Sequence, residues 1–216
     1  MNKEERALEV IKLLKKEYPG AKIALKFKSV FQLLVVVILS AQCTDERVNK
    51  ISPDLFKKFP SIKDFAEADL MDLEKSIYSA GFYKNKAKNI KGAAKMIMDD
   101  FKGKVPDSMD DLLKLPGVAR KTANVILESG FGKIAGITVD THVIRLSGLL
   151  GFVPAKLQKA KNAVKIEQEL MKIVPRKDWG KISHLLIWHG RRICIARSPK
   201  CKDCVLNKIC PSAFKG

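Results

Sequence analysis

The sequence has no long hydrophobic run, which excludes a helix that crosses a membrane. Its longest unbroken apolar stretch covers residues 33–39, far fewer than the roughly 18 residues that a spanning helix needs. The amino terminus reads M-N-K-E-E-R-A-L-E-V and carries acidic residues where a secretion signal needs a basic and then an apolar stretch. We therefore expect an intracellular protein that is not secreted and has no membrane partner.

Acidic residues are scarce relative to basic ones. The chain has 23 Asp and Glu against 41 Lys and Arg, which gives a net charge of +18 at pH 7. Such a charge attracts polyanions over long distances, so nucleic acid is the expected partner. The alternative is that the charge only keeps the protein in solution. The positions of the basic residues along the chain must distinguish these two interpretations.

Patterns typical of β-strands are also missing. The apolar residues of segment 7–14 follow helical spacing. Residues 29–41 contain three consecutive valines, which favour a strand locally, but nothing nearby alternates with period two as a partner strand would. We predict a buried helix there and an all-α fold. Because no low-complexity linker interrupts the chain, any domains should be closely packed.

One predicted helix carries a row of lysines. Lys84, Lys88, Lys91 and Lys95 are spaced i, i+4, i+7 and i+11, which places them on one helical face. Like charges at this spacing repel each other mildly, so the row indicates an anionic partner. The alternative is an ordinary solvated face.

Four of the five cysteines are concentrated near the carboxyl end, in the pattern C-x6-C-x2-C-x5-C. An intracellular location argues against disulfides, whereas four thiolates in a short segment can hold a soft metal ion or an iron–sulfur cluster. Zinc sites usually contain two close cysteine pairs, whereas only Cys201 and Cys204 form a close pair here. The spacing therefore argues against zinc but does not exclude it. The loop that follows Cys194 would display Arg197 and Lys200 toward phosphates.

A second motif surrounds residue 116, where the chain reads D-D-L-L-K-L-P-G-V-A-R-K-T-A-N-V-I-L. Helical apolar spacing on both sides of Pro-Gly predicts a helix, a hairpin and a second helix. The unpaired backbone N–H groups that begin the second helix can bind a phosphate. Gly117 would let a DNA backbone approach closely, and Arg120 and Lys121 add positive charge.

Together these motifs resemble the endonuclease III family of DNA glycosylases over nearly the whole chain. The segments that carry the resemblance are L-S-A-Q, G-F-Y-K-N-K-A-K-N-I, L-P-G-V-A-R-K-T-A, V-D-T-H-V and the cysteine pattern. The resemblance implies a helix-hairpin-helix fold of two helical domains. One is a six-helix domain of residues 22–133 that carries the hairpin, and the other joins residues 1–21 to residues 134–216.

The resemblance also implies an activity, a cofactor and a set of site residues. The expected reaction is removal of oxidised pyrimidines from double-stranded DNA, with strand nicking at abasic sites, by a monomer in the cytoplasm or nucleoid. Lys121 matches the nucleophile and Asp140 the catalytic carboxylate. Gln42 and Phe82 match positions that enter the DNA stack. The expected ligands of a [4Fe–4S] cluster are Cys194, Cys201, Cys204 and Cys210, and the other expected DNA contacts are Lys84, Lys88, Lys91, Gly117, Ala119, Arg120, His142, Arg197 and Lys200.

Two of these positions depart from the family pattern. Ala119 stands where the hairpin often has glycine, and Phe82 replaces the more usual leucine. The first could shift the phosphate site, and the second could change which lesion or opposing base is tolerated.

The expected chemistry needs an uncharged amine. At a free pKa near 10.4, only about one lysine in a few thousand is uncharged at pH 7, so the site must assist Lys121. Attack at C1′ would displace the base and leave an imine, from which the 3′ phosphate departs by β-elimination. Asp140 could accept the amine proton or stabilise positive charge on the sugar. D-T-H-V-I-R-L also reads as a helix start, so Asp140 is a candidate N-cap as well.

Two alternatives remain open from the sequence. One is a mismatch glycosylase of the same superfamily that removes a base without cutting the strand, and Lys121 argues against it. The other is a noncatalytic iron–sulfur protein that binds DNA or carries electrons, and the basic hairpin argues against the carrier.

Overall fold

The structure is a computed structural model that describes residues 1–215, and within them it contains helices and no β-strand. The prediction of an all-α fold is confirmed. The chain divides into two compact units. We call Ala24–Lys133 the hairpin unit, and Met1–Ile23 together with Ile134–Gly216 the terminal unit. The first observed boundary lies two residues later than the predicted one.

The hairpin unit contains seven α-helices and a short 3₁₀ helix, η1, among the described residues, one α-helix more than the six predicted. The helices are α2 (Val30–Ser40), α3 (Asp45–Lys58), α4 (Ile62–Glu67), α5 (Leu70–Ile77), η1 (Tyr78–Ala80), α6 (Tyr83–Asp100), α7 (Met109–Leu112) and α8 (Arg120–Phe131).

Helix α2 forms the centre of this unit. Ser29 caps it by accepting a hydrogen bond from the N–H of Gln32 at 3.2 Å. Every residue of the helix from Leu33 to Leu39 is buried, which explains why the valine run is helical: an element buried on all sides needs no polar face. Helix α2 packs against α3, α6 and α8.

The terminal unit is built from both ends of the chain. Its elements are α1 (Lys3–Glu17), α9 (Thr141–Leu149), α10 (Ala155–Lys159), α11 (Ala163–Ile173), the 3₁₀ helix η2 (Arg176–Asp178), α12 (Trp179–Arg192) and the 3₁₀ helix η3 (Cys201–Asp203). Helix α12 packs against α1 and α9. The core includes Ala7, Val10, Ile11 and Leu14 of α1, so the spacing seen in the sequence marks the buried face of that helix.

Among residues 1–215, no helix combines the length and the apolar character that crossing a membrane would require.

Candidate functional site

The hairpin between α7 and α8 lies against α6. Leu115 and Val118 are buried and anchor it, and the N–H of Val118 donates to the carbonyl of Leu115 at 3.1 Å. Gly117 between them has a φ of +78°, and a Cβ at this position would lie 2.8 Å from Cβ of Asn89. Glycine is therefore required here both for the backbone conformation and for the close packing.

Helix α8 begins directly after the hairpin with an open amino terminus. Its N-cap is Ala119, whose methyl group offers no hydrogen-bond acceptor, and no side chain caps the helix. The first turn therefore presents backbone N–H groups and the positive end of the helix dipole to an anion. Lys121 stands exposed in that turn. An incoming sugar–phosphate backbone can reach both features.

Gln42 and Phe82 share an unusual backbone conformation. Their φ values are +52° and +48°, in the left-handed region that side chains disfavour. Both are exposed, and Phe82 shows 65% of its surface to solvent. Each lies at a junction between helices, Gln42 between α2 and α3 and Phe82 between η1 and α6. A large apolar side chain on such a tight junction is suited to inserting between bases.

The lysine row on α6 is not uniform. Lys84 and Lys88 are exposed. Lys91 is partly buried, and its ammonium donates to the carbonyl of Ala68 at the end of α4 at 2.6 Å. Lys91 therefore stabilises a helix end within the unit, and Lys84 and Lys88 are better placed to bind phosphate.

Asp140 caps helix α9 in the terminal unit. Its Oδ1 accepts a hydrogen bond from the N–H of Val143 at 2.8 Å, so the predicted capping role is confirmed. This bond uses one carboxylate oxygen. The second oxygen offers further lone pairs to a substrate.

His142 is half-buried one residue into α9. Burial lowers the pKa of His142, the charge of Asp140 opposes this, and Arg145 and Arg191 add to the lowering. The imidazole is therefore uncharged at neutral pH, and a phosphate contact by His142 would be a hydrogen bond rather than an ion pair. Its buried Nδ1 has no hydrogen-bond partner within the protein.

The four clustered cysteines line one cavity of about 350 Å³ in the terminal unit. Burial raises the pKa of the Cys194 and Cys204 thiols. The charge of Arg145 opposes this shift at Cys194 and the backbone N–H of Leu206 opposes it at Cys204, while charge on the neighbouring cysteines adds to it. Yet in residues 1–215 no group of three His, Cys, Asp or Glu converges closely enough to hold a single metal ion. Four cysteine thiols around one cavity are a donor set that fits an iron–sulfur cluster.

A hydrogen-bonded chain leads from this cavity to α1. Nε2 of His189 lies 3.3 Å from Sγ of Cys204, and Nδ1 lies 3.0 Å from the hydroxyl of Tyr18. Burial lowers the pKa of His189 to about 4. Burial also raises the pKa of Tyr18 to about 12, and the charge of Glu17 adds to this rise. Near neutral pH both groups therefore carry no charge. No motif or spacing in the sequence predicted this network.

The cysteine loop also displays cations. Arg197 and Lys200 are exposed, and the N–H of Lys200 donates to the carbonyl of Ile193 at 3.0 Å. This bond closes the loop between the first and second cysteines.

Comparison with known proteins places this arrangement in a class. Residues 35–176 match the family model of the HhH-GPD superfamily base excision DNA repair proteins. A curated relative from Synechocystis sp. called endonuclease III is 52% identical, and the match covers 98% of this chain and 94% of the relative. Another from Bacillus subtilis, also called endonuclease III, is 44% identical over 92% of this chain and 88% of the relative. The chain therefore belongs to the endonuclease III family.

Solved structures agree with this assignment. A non-covalent endonuclease III–DNA complex matches with a TM-score of 0.92 and 40% identity, covering 100% of this chain and 98% of the other. A trapped covalent endonuclease III–DNA intermediate, an estranged-adenine complex, matches with the same TM-score and identity over 100% and 99%. The family resemblance read from the sequence motifs is confirmed.

Proposed function

We propose that the protein is a bifunctional DNA glycosylase and AP lyase of base excision repair, which removes oxidised or damaged pyrimidines from duplex DNA and nicks the resulting abasic site. The observation that carries this proposal is Lys121. It is an exposed amine in the first turn of a helix that begins at a glycine hairpin, in a chain 40% identical to an endonuclease III trapped covalently on DNA.

Lys121 acts as the nucleophile. Its uncharged amine attacks C1′ of an extruded nucleotide, and the base leaves with the bonding electron pair and takes up a proton. The C1′–O4′ bond of the sugar then opens, O4′ takes up the proton that the amine loses, and C1′ becomes double-bonded to nitrogen as a protonated imine. The imine acidifies the hydrogens on C2′, and loss of one of them expels the 3′ phosphate.

Asp140 accepts the amine proton or stabilises positive charge on the sugar as the base leaves. The capping bond holds the carboxylate in one orientation, because a side chain bonded to its own helix loses rotational freedom. One residue thus begins a helix and serves the reaction.

The remaining contacts hold the extruded state of the DNA. Gln42 and Phe82 occupy the gap that the nucleotide leaves, the amide by hydrogen bonding to the orphaned base and the ring by stacking. The proposed contacts to the DNA backbone are Lys84, Lys88, Gly117, Ala119, Arg120, His142, Arg197 and Lys200. Lys91 is left out because its ammonium donates to the carbonyl of Ala68. All these groups are on one chain, so we expect the protein to act as a monomer.

Cys194, Cys201, Cys204 and Cys210 would hold a [4Fe–4S] cluster. Their thiols surround one cavity, and the donor set is the one such clusters use. By holding a cluster, these four cysteines would tie the end of α12 to the loop that follows, which would fix Arg197 and Lys200.

Borohydride trapping tests the proposal. Wild-type protein incubated with a duplex containing thymine glycol should release the base, nick the strand and form a reduced adduct that mass spectrometry locates on Lys121. Lys121→Ala should form none. Lys114→Ala is the matched control, since it removes an exposed lysine paired with Asp111 in the same unit and should trap like wild type.

Two results would overturn the proposal in different ways. Trapping that survives Lys121→Ala would remove the assigned nucleophile. Wild-type protein that binds the duplex but neither releases the base nor nicks an abasic site would be a DNA-binding protein only.

A further inference from the structure

A lysine that the proposed mechanism does not use lies buried between the two junctions that carry Gln42 and Phe82. Lys86 is in the first turns of α6, and only 5% of its surface is exposed. Its Nζ donates to the carbonyl of Leu39 at 2.8 Å and to the carbonyl of Ala80 at 2.8 Å. Lysine is rarely buried this deeply without polar partners that stabilise it.

The two acceptors lie at the ends of two helical elements. Leu39 is in the last turn of α2, and Ala80 is the last residue of η1. Carbonyls at such ends lack helical N–H partners and carry partial negative charge. The 3₁₀-type bonds that end α2 run from Ala41 to Ile38 and from Cys43 to Ser40, and neither uses the carbonyl of Leu39.

Each acceptor lies two or three residues before one of the exposed left-handed residues. Gln42 follows Leu39 by three positions, and Phe82 follows Ala80 by two. The backbone N–H of Lys86 also donates to the carbonyl of Phe82 itself at 3.1 Å. Lys86 therefore contacts both junctions through its side chain and one of them through its backbone.

We infer that Lys86 is a positioning residue that sets the spacing between Gln42 and Phe82 by joining the end of α2 to the end of η1. The inference rests on the proposed function, in which both residues enter the gap left by an extruded nucleotide. Since both have φ values near +50°, a conformation that is disfavoured for residues with a side chain, each junction needs an external tie to remain in place.

The protonation of Lys86 does not affect the geometry. Burial lowers the pKa of Lys86, and charge on Cys43 opposes the shift. The ammonium form has three N–H donors and the neutral amine has two, so either form can satisfy both carbonyls.

Lys86→Met tests the inference, because methionine keeps the length and apolar body of the side chain and removes the donors. The first measurement is the fluorescence of 2-aminopurine placed opposite a tetrahydrofuran abasic analogue in a duplex. Wild-type binding should change this fluorescence as Gln42 and Phe82 enter the gap. The variant should bind and give a much smaller change.

The second measurement separates positioning from chemistry. We expect Lys86→Met to slow release of thymine glycol from duplex DNA by about 10- to 100-fold, the scale of a small misplacement of reacting groups. Its β-elimination on a single-stranded abasic site should stay close to wild type, because no stacked gap has to be filled there.

Lys181→Met is the matched control. The Nζ of Lys181 donates to the carbonyl of Ala21 at 2.9 Å in the terminal unit, so this variant also loses a lysine–carbonyl bond but should keep the fluorescence response. Should Lys86→Met fold poorly, Lys86→Gln keeps an amide NH2 with two N–H donors on a shorter side chain and should show an intermediate response.

The outcomes distinguish this inference from the proposed function. A wild-type response in both Lys86 variants, or equal slowing on duplex and single-stranded substrates, would overturn the positioning role. Wild-type protein that releases no base would instead overturn the proposed function.

Discussion

Nε2 of His189 lies 3.3 Å from Sγ of Cys204, while the hydroxyl of Tyr18 lies 3.0 Å from the other ring nitrogen. A thiolate that binds metal has no proton to donate, so Nε2 must be the donor to Cys204. In an uncharged imidazole, Nδ1 is then the acceptor, and Tyr18 donates to it. The phenol of Tyr18, the residue that follows α1, thus fixes the tautomer of a histidine that contacts a proposed cluster ligand.

Tyr18→Phe should therefore lower the reduction potential of the proposed cluster. Loss of the phenol frees the imidazole to change tautomer and weakens its hydrogen bond to the Cys204 sulfur, and such bonds favour the more negative reduced state. Film voltammetry measures the potential. Tyr83→Phe, which alters an aromatic pair in the hairpin unit, should leave it unchanged, and an unchanged potential in Tyr18→Phe would contradict the assignment.

Asp140→Asn separates the two roles of Asp140. Asparagine caps a helix about as well as aspartate, so the free energy of unfolding should stay near wild type, whereas Asp140→Ala should lose about 1 kcal/mol. Base release should fall by about 100-fold or more in both variants, because both lack the carboxylate. Urea unfolding and single-turnover kinetics measure the two effects. Full activity in Asp140→Asn would show that Asp140 only caps α9 and takes no part in the reaction.

Gly117→Ala should weaken both the hairpin and DNA binding. Its Cβ would meet Asn89 at 2.8 Å at a φ of +78°, and we expect a loss of about 2 kcal/mol of stability from the combined strain and contact. Gly132→Ala provides the control, since its φ is +66° but nothing lies within 4 Å of its Cβ. It should lose about 1 kcal/mol and keep DNA affinity. Equal losses in the two variants would show that the Asn89 contact is unimportant.

Lys200→Ala should reduce the salt dependence of DNA binding. If Lys200 contacts one phosphate, its loss lowers the slope of log K against log salt by about 0.9. Lys202→Ala removes the same charge two residues further on, in η3, and Lys202 is also exposed, but it is not a proposed contact. Fluorescence anisotropy over a range of salt concentrations compares them. Equal slopes would mean that only the net charge of the loop matters.

Local patterns in the sequence predicted the features whose causes are local. The buried helix at residues 29–41 followed from a lack of alternation, and the hairpin followed from Pro-Gly between two helical patterns. Lys86 could not be predicted, since one of its carbonyl partners is 47 positions away. The bond between Tyr18 and His189 spans 171 positions. From its spacing, Lys91 could not be distinguished from the exposed lysines of α6. The carbonyl that it binds, that of Ala68, is 23 positions away in the sequence.

The terminal unit is assembled from the first and last segments of the chain, and this imposes an order on biosynthesis. The hairpin unit is continuous, so all of it leaves the ribosome before the final segment does. Helix α1 is translated first, yet its partner α12 ends only at Arg192. Until then the apolar face formed by Val10, Ile11 and Leu14 lacks its contacts with α12. A prematurely terminated product therefore exposes the apolar face of α1, which quality-control proteases can recognise.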